Sequence, residues 1–432
     1  MKPAVDFIHT ADLHLGSRIQ INESYKDLQT KDYNEAVYNS FKKIVDNAIK
    51  TDVDFVLISG DIFDSDSRSV RATRFFIEQS QRLDCKDIAI YMINGNHDPY
   101  RNEGELLNLP KNVHVCDSEQ PSCFTVHRNN RLIARILGQS YRSSSENRKM
   151  SNYYTVNDQR VYNIALLHTQ LDLNNKSYVP VSKDDLLKKN SIDYWALGHI
   201  HKKQIINGEN PYIIYPGIPQ GRDMGEMEPG GYFIVHLEPN NCYYDFKKTS
   251  DYVYRRFEVD LGKMEINNIS DLHELLEKEL NEFYQTLNKN IKGYIIRIIL
   301  KGNIRIYELL QEKEEEINED ILSNLRPLYL NKAPLLFING IVNRSSKYIE
   351  NMEELIKKDP FFKDFFNFLE ELKSDDEEIK KLKNDLGRIW NSKVDIENKD
   401  PQEFQLGEQV FKELFEQSKF LIMKEFIERR DL

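Results

Sequence analysis

Short apolar runs recur through the first half of the chain, and most of them end in a polar residue. Runs of this length, bounded by turn residues, are typical of buried strands. The runs lie at residues 5–9, 55–61, 88–93, 164–169 and 194–201. Between the first three runs, apolar residues at helical spacing predict helices over residues 33–50 and 70–83. This alternation predicts an α/β sheet whose strand ends share one edge.

The residues that close these runs, or follow soon after them, are carboxylates, imidazoles and one amide. They are Asp12, His14, Asp61, Asn96, His97, His168, His199 and His201. The pairs 12/14 and 199/201 each flank a single residue, so on an extended segment both side chains of a pair point to one side. Each stretch alone is also compatible with an ordinary polar turn. A carboxylate at the tip of an apolar strand is costly unless it is paired or metal-bound. Because carboxylates and imidazoles recur at several strand ends, a metal site is favoured.

The set of donor atoms indicates which metals would bind. Carboxylate, imidazole and amide donors without thiolates suit Mn²⁺, Fe²⁺ or Zn²⁺ and disfavour a structural cysteine-type zinc site. The donors are too many for one ion, whereas two ions sharing a bridging carboxylate would use them all. Two-metal centres cleave phosphoesters, because the ions activate water and offset the charge of the phosphate oxygens.

Composition limits the cellular location expected for the protein and the way in which it could bind nucleic acid. The chain has 432 residues, 40% of them hydrophobic, and four cysteines without CxxC spacing, as expected of reduced thiols in a cytoplasmic protein. It lacks a run of about 18 apolar residues, so we expect no membrane span, and its N-terminus lacks the build of a signal peptide. The net charge of −11 offers no bulk basic field for nucleic acid, so phosphate contacts must come from local patches. One candidate is Arg222, whose glycine- and proline-rich loop is either turn chemistry or a bidentate phosphate contact.

Five motifs, in a fixed order, carry a resemblance to a known family. They are Asp-x-His at 12–14, Gly-Asp at 60–61, Gly-Asn-His-Asp at 95–98, the strand-end His168 and Gly-His-x-His at 198–201. Together they resemble the calcineurin-like metallophosphoesterase superfamily. The opening His-Thr-Ala-Asp-Leu-His-Leu-Gly, the loop 215–222 and Phe-Glu-Val-Asp-Leu at 257–261 are similar to SbcD-type nuclease subunits and YhaO-like bacterial DNA repair exonucleases.

The resemblance implies a fold, a metal and roles for individual residues. The fold would be an αββα sandwich, and the cofactor would be two divalent ions, Mn²⁺ first, with Fe²⁺ or Zn²⁺ as alternatives. The ligands would fall into two sets bridged by Asp61: Asp12, His14 and His201 for one ion, and Asn96, His168 and His199 for the other. His97 would be the catalytic histidine, protonating the leaving oxygen or orienting the phosphate. Asp98 would fix the orientation of His97.

The second half of the chain is helical and charged in composition. Helices predicted over 269–288 and 304–318 flank a strand at 292–300, a block similar to the small α+β capping domain of these nucleases. The remainder to about residue 391 is expected to be mostly helical, with five phenylalanines between 361 and 368 in its core. Together with the resemblance, these patterns predict a metallophosphoesterase (nuclease) domain over 1–250, an α+β capping domain over 251–330 and a helical C-terminal region over 331–432.

The last predicted helix, over residues 402–431, has two interpretations. It packs on its own domain or, as the resemblance implies, docks on the coiled coil of an SMC-like ATPase. The sequence lacks a P-loop, so any ATP-driven step would come from another subunit. Homodimers are also usual among the resembled proteins.

These observations favour one function over two rivals. The first hypothesis is a two-metal-dependent DNA nuclease, an exonuclease with endonuclease cleavage as a further activity, acting with the ATPase in DNA repair or defence. The enzyme rival is a small-molecule phosphodiesterase or protein phosphatase on the same dinuclear centre. The non-enzyme rival is a structural subunit that its metals merely stabilise. Loss of phosphoester cleavage on replacing His97, with folding intact, would exclude the structural role.

Overall fold

The computed structural model describes residues 2–21, 30–64, 69–100, 108–173, 177–239, 241–348 and 359–385, with positions 411, 414, 415, 418 and 422. The chain divides into two compact units. Unit 1 comprises Met1–Arg255, Leu287–Ile296 and Tyr329–Asn339, and unit 2 comprises Arg256–Thr286, Arg297–Leu328 and Gly340–Leu432. The three regions expected from composition stay a prediction.

The described residues form strands and helices that alternate through most of the chain. The strands are β1 Val5–Thr10, β2 Phe55–Ser59, β3 Ala89–Ile93, β4 Val113–Val115, β5 Ser122–Arg128, β6 Arg131–Gly138, β7 Tyr162–His168, β8 Tyr194–Gly198, β9 Gln204–Asn207, β10 Tyr212–Tyr215, β11 Gly231–Glu238, β12 Asn241–Lys248, β13 Tyr252–Asp260, β14 Gly293–Ile304 and β15 Leu335–Lys347. The helices are α1 Thr30–Thr51, α2 Val70–Asp84, α3 Lys183–Leu187, α4 Ile269–Gln285, α5 Tyr307–Glu312, α6 Glu314–Leu325, α7 Pro327–Leu330, α8 Pro360–Ser374 and α9 Asp376–Asp385.

Two six-stranded sheets form the body of unit 1. Their strand orders are β12-β11-β1-β2-β3-β4 and β5-β6-β7-β8-β10-β9. Strands β1, β2 and β3 are parallel neighbours in the first sheet, and β6, β7 and β8 are parallel neighbours in the second. Parallel neighbours end at the same edge, so the polar residues after β1, β2 and β3 are delivered together.

Apolar side chains join the two sheets and cover their outer faces. Phe7 and Leu57 of the first sheet share a buried cluster with Ile164 and Tyr194 of the second, and the Phe7 and Tyr194 ring centroids are 5.2 Å apart. Helices α1 and α2 cover the other face of the first sheet, where Ser69 caps α2 by accepting a hydrogen bond from the Ala72 N–H. Loops and the short helix α3 cover the second sheet. The predicted α/β fold, with two sheets between covering layers, is confirmed.

The second half differs from the prediction at two places. The single helix predicted over 304–318 is wrong: β14 continues to Ile304, and Lys313, with φ −124° and ψ 32°, separates α5 from α6. The expectation that residues 331–391 are mostly helical is wrong for β15, which pairs with β14 in a three-stranded sheet. Its half-buried polar residues hid the strand, because pairing with a neighbour stabilises an extended backbone that composition does not favour.

The C-terminal phenylalanines are only partly buried. Phe362 of α8 is buried, whereas Phe361 and Phe368 are 39% and 58% exposed, so the expectation that all five lie in a core is wrong. The predicted helix over 402–431 lies outside the described residues, apart from five positions. Among the described residues, every helix is too short or too polar to span a membrane.

Candidate metal centre

The strand ends bring the predicted ligands together in unit 1. Asp12 and His14 follow β1, Asp61 follows β2, Asn96 follows β3, His168 ends β7, and His199 and His201 follow β8. Asp12, His14, Asp61, His168 and His199 are buried, while Asn96 and His201 are half-buried. Three groups of possible ligand atoms each lie within 4.8 Å of one another: Asp12, His14 and His201; Asp12, Asp61 and His168; and His14, Asp64 and His97. The convergence inferred from the apolar runs is therefore present.

The backbone reaches this arrangement by a route that the sequence spacing did not predict. Asp12, His14, Asp61 and His199 adopt positive φ values of 52°, 45°, 50° and 93°, in the left-handed region that L residues rarely occupy. The ligand loops are thus not extended. The prediction that both side chains of the pairs 12/14 and 199/201 point to one side assumed an extended backbone, and that assumption is wrong. His199 and His201 in fact contact different neighbours, Asn96 and His14. Strained backbone of this kind clusters at functional sites.

Asp61 lies at the middle of the cluster. Its Oδ2 is 3.3 Å from His168 Nε2 and 3.9 Å from His14 Nε2, and among the described residues it makes no hydrogen bond of normal geometry. Its Oδ1 accepts a hydrogen bond of 2.9 Å from the His97 N–H. A buried carboxylate oxygen without such a hydrogen bond is costly, whereas the same oxygen between two imidazoles is well placed to share two cations.

The Asn96 side of the centre comprises Asn96, His168 and His199. Asn96 Oδ1 lies 2.9 Å from His168 Nε2 and 3.1 Å from His199 Nδ1. The other nitrogen of His168, Nδ1, is 2.9 Å from the Ser59 carbonyl oxygen, which fixes the tautomer that leaves Nε2 free to bind. Three glycines, at 60, 95 and 198, enclose the ring, and a Cβ at Gly60 or Gly95 would overlap it.

The His201 side comprises His14 and His201 together with the charged groups beside them. The Nε2 atoms of His14 and His201 are 3.3 Å apart. His201 Nδ1 is 2.6 Å from Glu226 Oε1, a carboxylate–histidine contact that leaves Nε2 to face the site. Two imidazole lone pairs this close repel unless a proton or a cation lies between them.

The electrostatics of the cluster also fit bound cations. Burial lowers the pKa values of His14 and His199 well below their ordinary range, so both rings are neutral and each can offer a nitrogen lone pair to a cation. For His168, burial would lower the pKa, but the Asp61 and Asp12 carboxylates outweigh it and raise the pKa to about 9. A metal ion would replace that proton, since binding requires the deprotonated ring. The carboxylate, imidazole and amide donors, the buried Asp61 Oδ2 and the negative charge of Asp12 and Asp61 all fit bound divalent ions.

The imidazole of His97 lies at the edge of the cluster, beside a carboxylate that sequence analysis missed. His97 Nδ1 is 3.5 Å from Asp64 Oδ1, and Asp64 Oδ2 accepts a 2.9 Å hydrogen bond from the Ser17 hydroxyl. Burial lowers the pKa of His97, but Asp64 and Asp61 together raise it above its usual value. The sequence feature that could have identified Asp64 is its position as a second carboxylate three residues after Asp61 on the same loop.

Asp98 makes a different set of contacts. Its Oδ1 accepts a hydrogen bond from the Gly95 N–H, and its Oδ2 accepts from the N–H groups of Ile62 and Phe63, at 2.9–3.2 Å. Burial, with the nearby charge of Asp61, raises its pKa to about 7. Asp98 therefore joins the loop after β2 to the loop after β3 by backbone contacts.

Arg222 and Glu226 form the charged border of the His201 side. Glu226 Oε2 accepts a 2.6 Å hydrogen bond from the Arg222 N–H, and Glu226 Oε1 lies 3.2 Å from Arg222 Nη2. Arg222 Nη1 is 3.5 Å from Asp64 Oδ2. Burial would raise the pKa of Glu226, but Arg222 and His201 lower it to about 2. Sequence analysis singled out Arg222 but not Glu226, whose signal was an acid four residues later in the same loop.

The cluster gathers candidate ligands for divalent ions, and comparison with known proteins shows the family. Residues 5–203 match the family described as calcineurin-like phosphoesterase. The chain is 31% identical over 362 residues to an uncharacterized metallophosphoesterase of Bacillus subtilis, YhaO, covering 83% of this chain and 86% of that protein. The chain therefore belongs to the calcineurin-like phosphoesterase family.

Further relatives carry a more specific name. The chain is 27% identical to the DNA double-strand break repair protein Mre11 of Methanocaldococcus jannaschii, over 67% of this chain and 70% of that protein. It is 22% identical to the Mre11 protein of Methanococcus maripaludis, over 83% of this chain and 99% of that protein. The chain is thus a metal-dependent phosphoesterase with relatives named for DNA repair.

Proposed function

We propose that the chain is a two-metal-dependent DNA nuclease, an exonuclease with endonuclease cleavage as a further activity. The observation that carries this proposal is the buried Asp61 Oδ2, which makes no hydrogen bond of normal geometry among the described residues and lies between His168 and His14. The DNA substrate rests on the relatives named as double-strand break repair proteins, which align with most of the chain.

The residues take separate roles in this proposal. Asp12, His14 and His201 would hold one ion, Asn96, His168 and His199 would hold the other, and Asp61 would be shared by both sets. Mn²⁺ is the expected ion, with Fe²⁺ or Zn²⁺ as alternatives. When bound, the ions supply activation of water and neutralisation of charge on the phosphate.

The remaining roles belong to side chains at the edge of the cluster. His97 is half-buried, so its ring can reach a substrate, and it protonates the leaving oxygen or orients the phosphate. Asp98 positions His97 through the backbone of the turn that both residues share. Sequence analysis named Arg222 as a candidate phosphate contact, but its guanidinium is only 14% exposed and lies against Glu226 and Asp64, so we assign it no direct contact with the phosphate.

The setting of the enzyme is part of the same proposal. We expect a cytoplasmic protein that acts on DNA with an SMC-like ATPase bound through residues 402–431, in repair or defence, and that forms a homodimer. A deletion of residues 402–432 that still binds the ATPase would contradict the docking part alone.

The deciding experiment is Mn²⁺-dependent degradation of end-labelled linear duplex DNA by the intact chain and by His97→Ala. The matched control is His236→Ala, because His236 lies on β11 with its ring against Asp6, 2.6 Å away. We expect cleavage that needs Mn²⁺ and His97 but not His236, with a loss of about 10²–10⁴-fold in rate for His97→Ala. Robust hydrolysis of bis(p-nitrophenyl) phosphate without DNA cleavage would instead favour a small-molecule phosphodiesterase or protein phosphatase, or a nuclease that is silent without its ATPase; adding the ATPase separates these outcomes. Full activity of His97→Ala would contradict the catalytic role.

A further inference from the structure

The loop between β10 and β11 carries two largely buried charged side chains, Glu226 and Arg222. Their contacts extend from His201 to Asp64. His201 Nδ1 lies 2.6 Å from Glu226, Glu226 lies 3.2 Å from the Arg222 guanidinium, and Arg222 lies 3.5 Å from Asp64, which is beside His97. The side chains of Glu226 and Arg222 are only 9% and 14% exposed. Burying a charged pair costs free energy unless both charges are matched, so a contribution to stability alone does not explain why this pair is present.

Besides the Arg222 N–H to Glu226 hydrogen bond, contacts that involve neither charged side chain anchor the main chain of this loop. The Arg222 carbonyl oxygen accepts hydrogen bonds from the Gln20 N–H and the Tyr254 hydroxyl, at 2.7 and 2.6 Å. The Ile218 N–H donates to the His201 carbonyl oxygen at 2.9 Å, which ties the loop to the ligand segment. Glu226 and Arg222 therefore present their side chains to the centre from an anchored backbone, as groups that orient a ligand must.

We propose that Glu226 and Arg222 are positioning residues: Glu226 fixes the ring and tautomer of His201, and Arg222 connects Glu226 to Asp64 and thereby to His97. A carboxylate that accepts from the distal nitrogen of a histidine ligand sets the orientation of the ring and increases its basicity. The guanidinium suits the second role because its fixed fork reaches Glu226 with one nitrogen and Asp64 with another, whereas a lysine would have to contact both carboxylates from a single nitrogen. The proposal rests on the assignment of His201 as a metal ligand.

The first test measures Mn²⁺ binding in the absence of DNA. The apo chain is titrated with MnCl₂ by calorimetry, as wild type, Glu226→Gln and Glu226→Ala, with folding checked by circular dichroism. We expect affinity for one of two Mn²⁺ ions to fall about 10- to 100-fold, the range found for such supporting contacts, and to fall least in Glu226→Gln, which keeps an acceptor. Unchanged affinity in a folded Glu226→Ala would overturn the proposal.

The matched control is Glu228→Gln. Glu228 is two residues away on the same loop, but its side chain is 54% exposed and pairs with Lys202 Nζ at 3.1 Å. This variant removes an equal charge near His201 without touching its ring. We expect wild-type Mn²⁺ affinity, and an equal loss in Glu228→Gln and Glu226→Gln would overturn a specific role for Glu226.

Arg222→Lys tests the second half of the proposal with the generic phosphodiester bis(p-nitrophenyl) phosphate. As a positioning residue, Arg222 acts through Asp64 and His97, so kcat should fall at saturating Mn²⁺ while KM is retained. A rise in KM alone would overturn this half and identify Arg222 as a phosphate contact. The calorimetry needs no nucleic acid. A chain that binds Mn²⁺ through a Glu226-dependent site, yet cleaves no DNA even with the ATPase partner added, would therefore refute the proposed nuclease and leave the positioning role intact.

Discussion

The Asn96 side and the His201 side each contain two candidate histidine ligands, but different groups hold the histidines in place. On the Asn96 side, His168 is held by the Ser59 carbonyl oxygen and enclosed by glycines. On the His201 side, His201 is held by Glu226, which is in turn paired with Arg222. One side is therefore fixed by the shape of the backbone and the other by charged side chains. Changes of volume should damage the first, and changes of charge should damage the second.

The largest effect should come from Asp61, which the two sides share. Asp61→Asn keeps the size of the side chain but removes the charge that both sets of ligands face. We expect phosphodiesterase kcat/KM to fall about 10³-fold or more, because metal catalysis contributes several kcal/mol and each 1.36 kcal/mol is a factor of ten. Calorimetric Mn²⁺ binding should fall at both ions. Loss of one ion with the other retained would show that Asp61 belongs to one side only.

Gly198→Ala tests the shape of the Asn96 side. A Cβ at this position would overlap the Ser59 carbonyl oxygen, the acceptor that orients His168. We expect a loss of about 1–3 kcal/mol in the free energy of unfolding, typical of overpacking, measured by urea denaturation. The control is Gly208→Ala, whose Cβ would meet the Tyr244 hydroxyl at an ordinary 3.6 Å. Equal stability of the two variants would argue against a rigid Asn96 side.

Asp64→Asn tests charge on the His201 side. The change keeps the contact with Ser17 possible but removes the carboxylate beside His97. We expect kcat to fall about tenfold, since a charge-assisted contact contributes about 1.5 kcal/mol, with Mn²⁺ affinity unchanged by calorimetry. A fall in Mn²⁺ affinity with kcat preserved would place Asp64 among the ligands instead.

The smallest effect concerns a charged contact away from the ligands. Asp251 is buried and accepts hydrogen bonds from Lys43, Lys292 and Asn39 at 2.7–2.8 Å. Burial would raise its pKa, but these contacts lower it, so its stabilisation is present above the ordinary carboxyl pKa and is lost as pH falls through the lowered value. Asp251→Asn should cost about 1 kcal/mol at pH 7, because both lysines are half exposed.

A pair of urea unfolding curves checks the sign of that last prediction. The difference in the free energy of unfolding between wild type and Asp251→Asn should shrink between pH 6 and pH 3. A difference that grows over this interval would contradict it. The result also calibrates what a charged contact contributes when no metal is near.

The convergence of the candidate ligands was predictable because each one closes or follows an apolar run that is typical of a buried strand. Asp61 after Phe55–Ser59 and His168 at the end of Tyr162–His168 are examples. The left-handed backbone at Asp12 and His199 was not predictable, because it is imposed by the packing of loops against one another. Asp64 and Glu226 were missed for a related reason: an acid in a polar loop has no periodic neighbours to mark it. Strand Leu335–Lys347 was missed because only its first residues are apolar.

The positive φ values at Asp12, His14, Asp61 and His199 have a consequence for how this sequence can change. A non-glycine residue in this region costs on the order of 1 kcal/mol or more, so glycine would relieve the backbone at each of the four positions. A mutant library screened only for heat resistance should therefore drift toward glycine there, while one screened for cleavage should keep every donor. The same four codons would report, in opposite directions, which property had been selected.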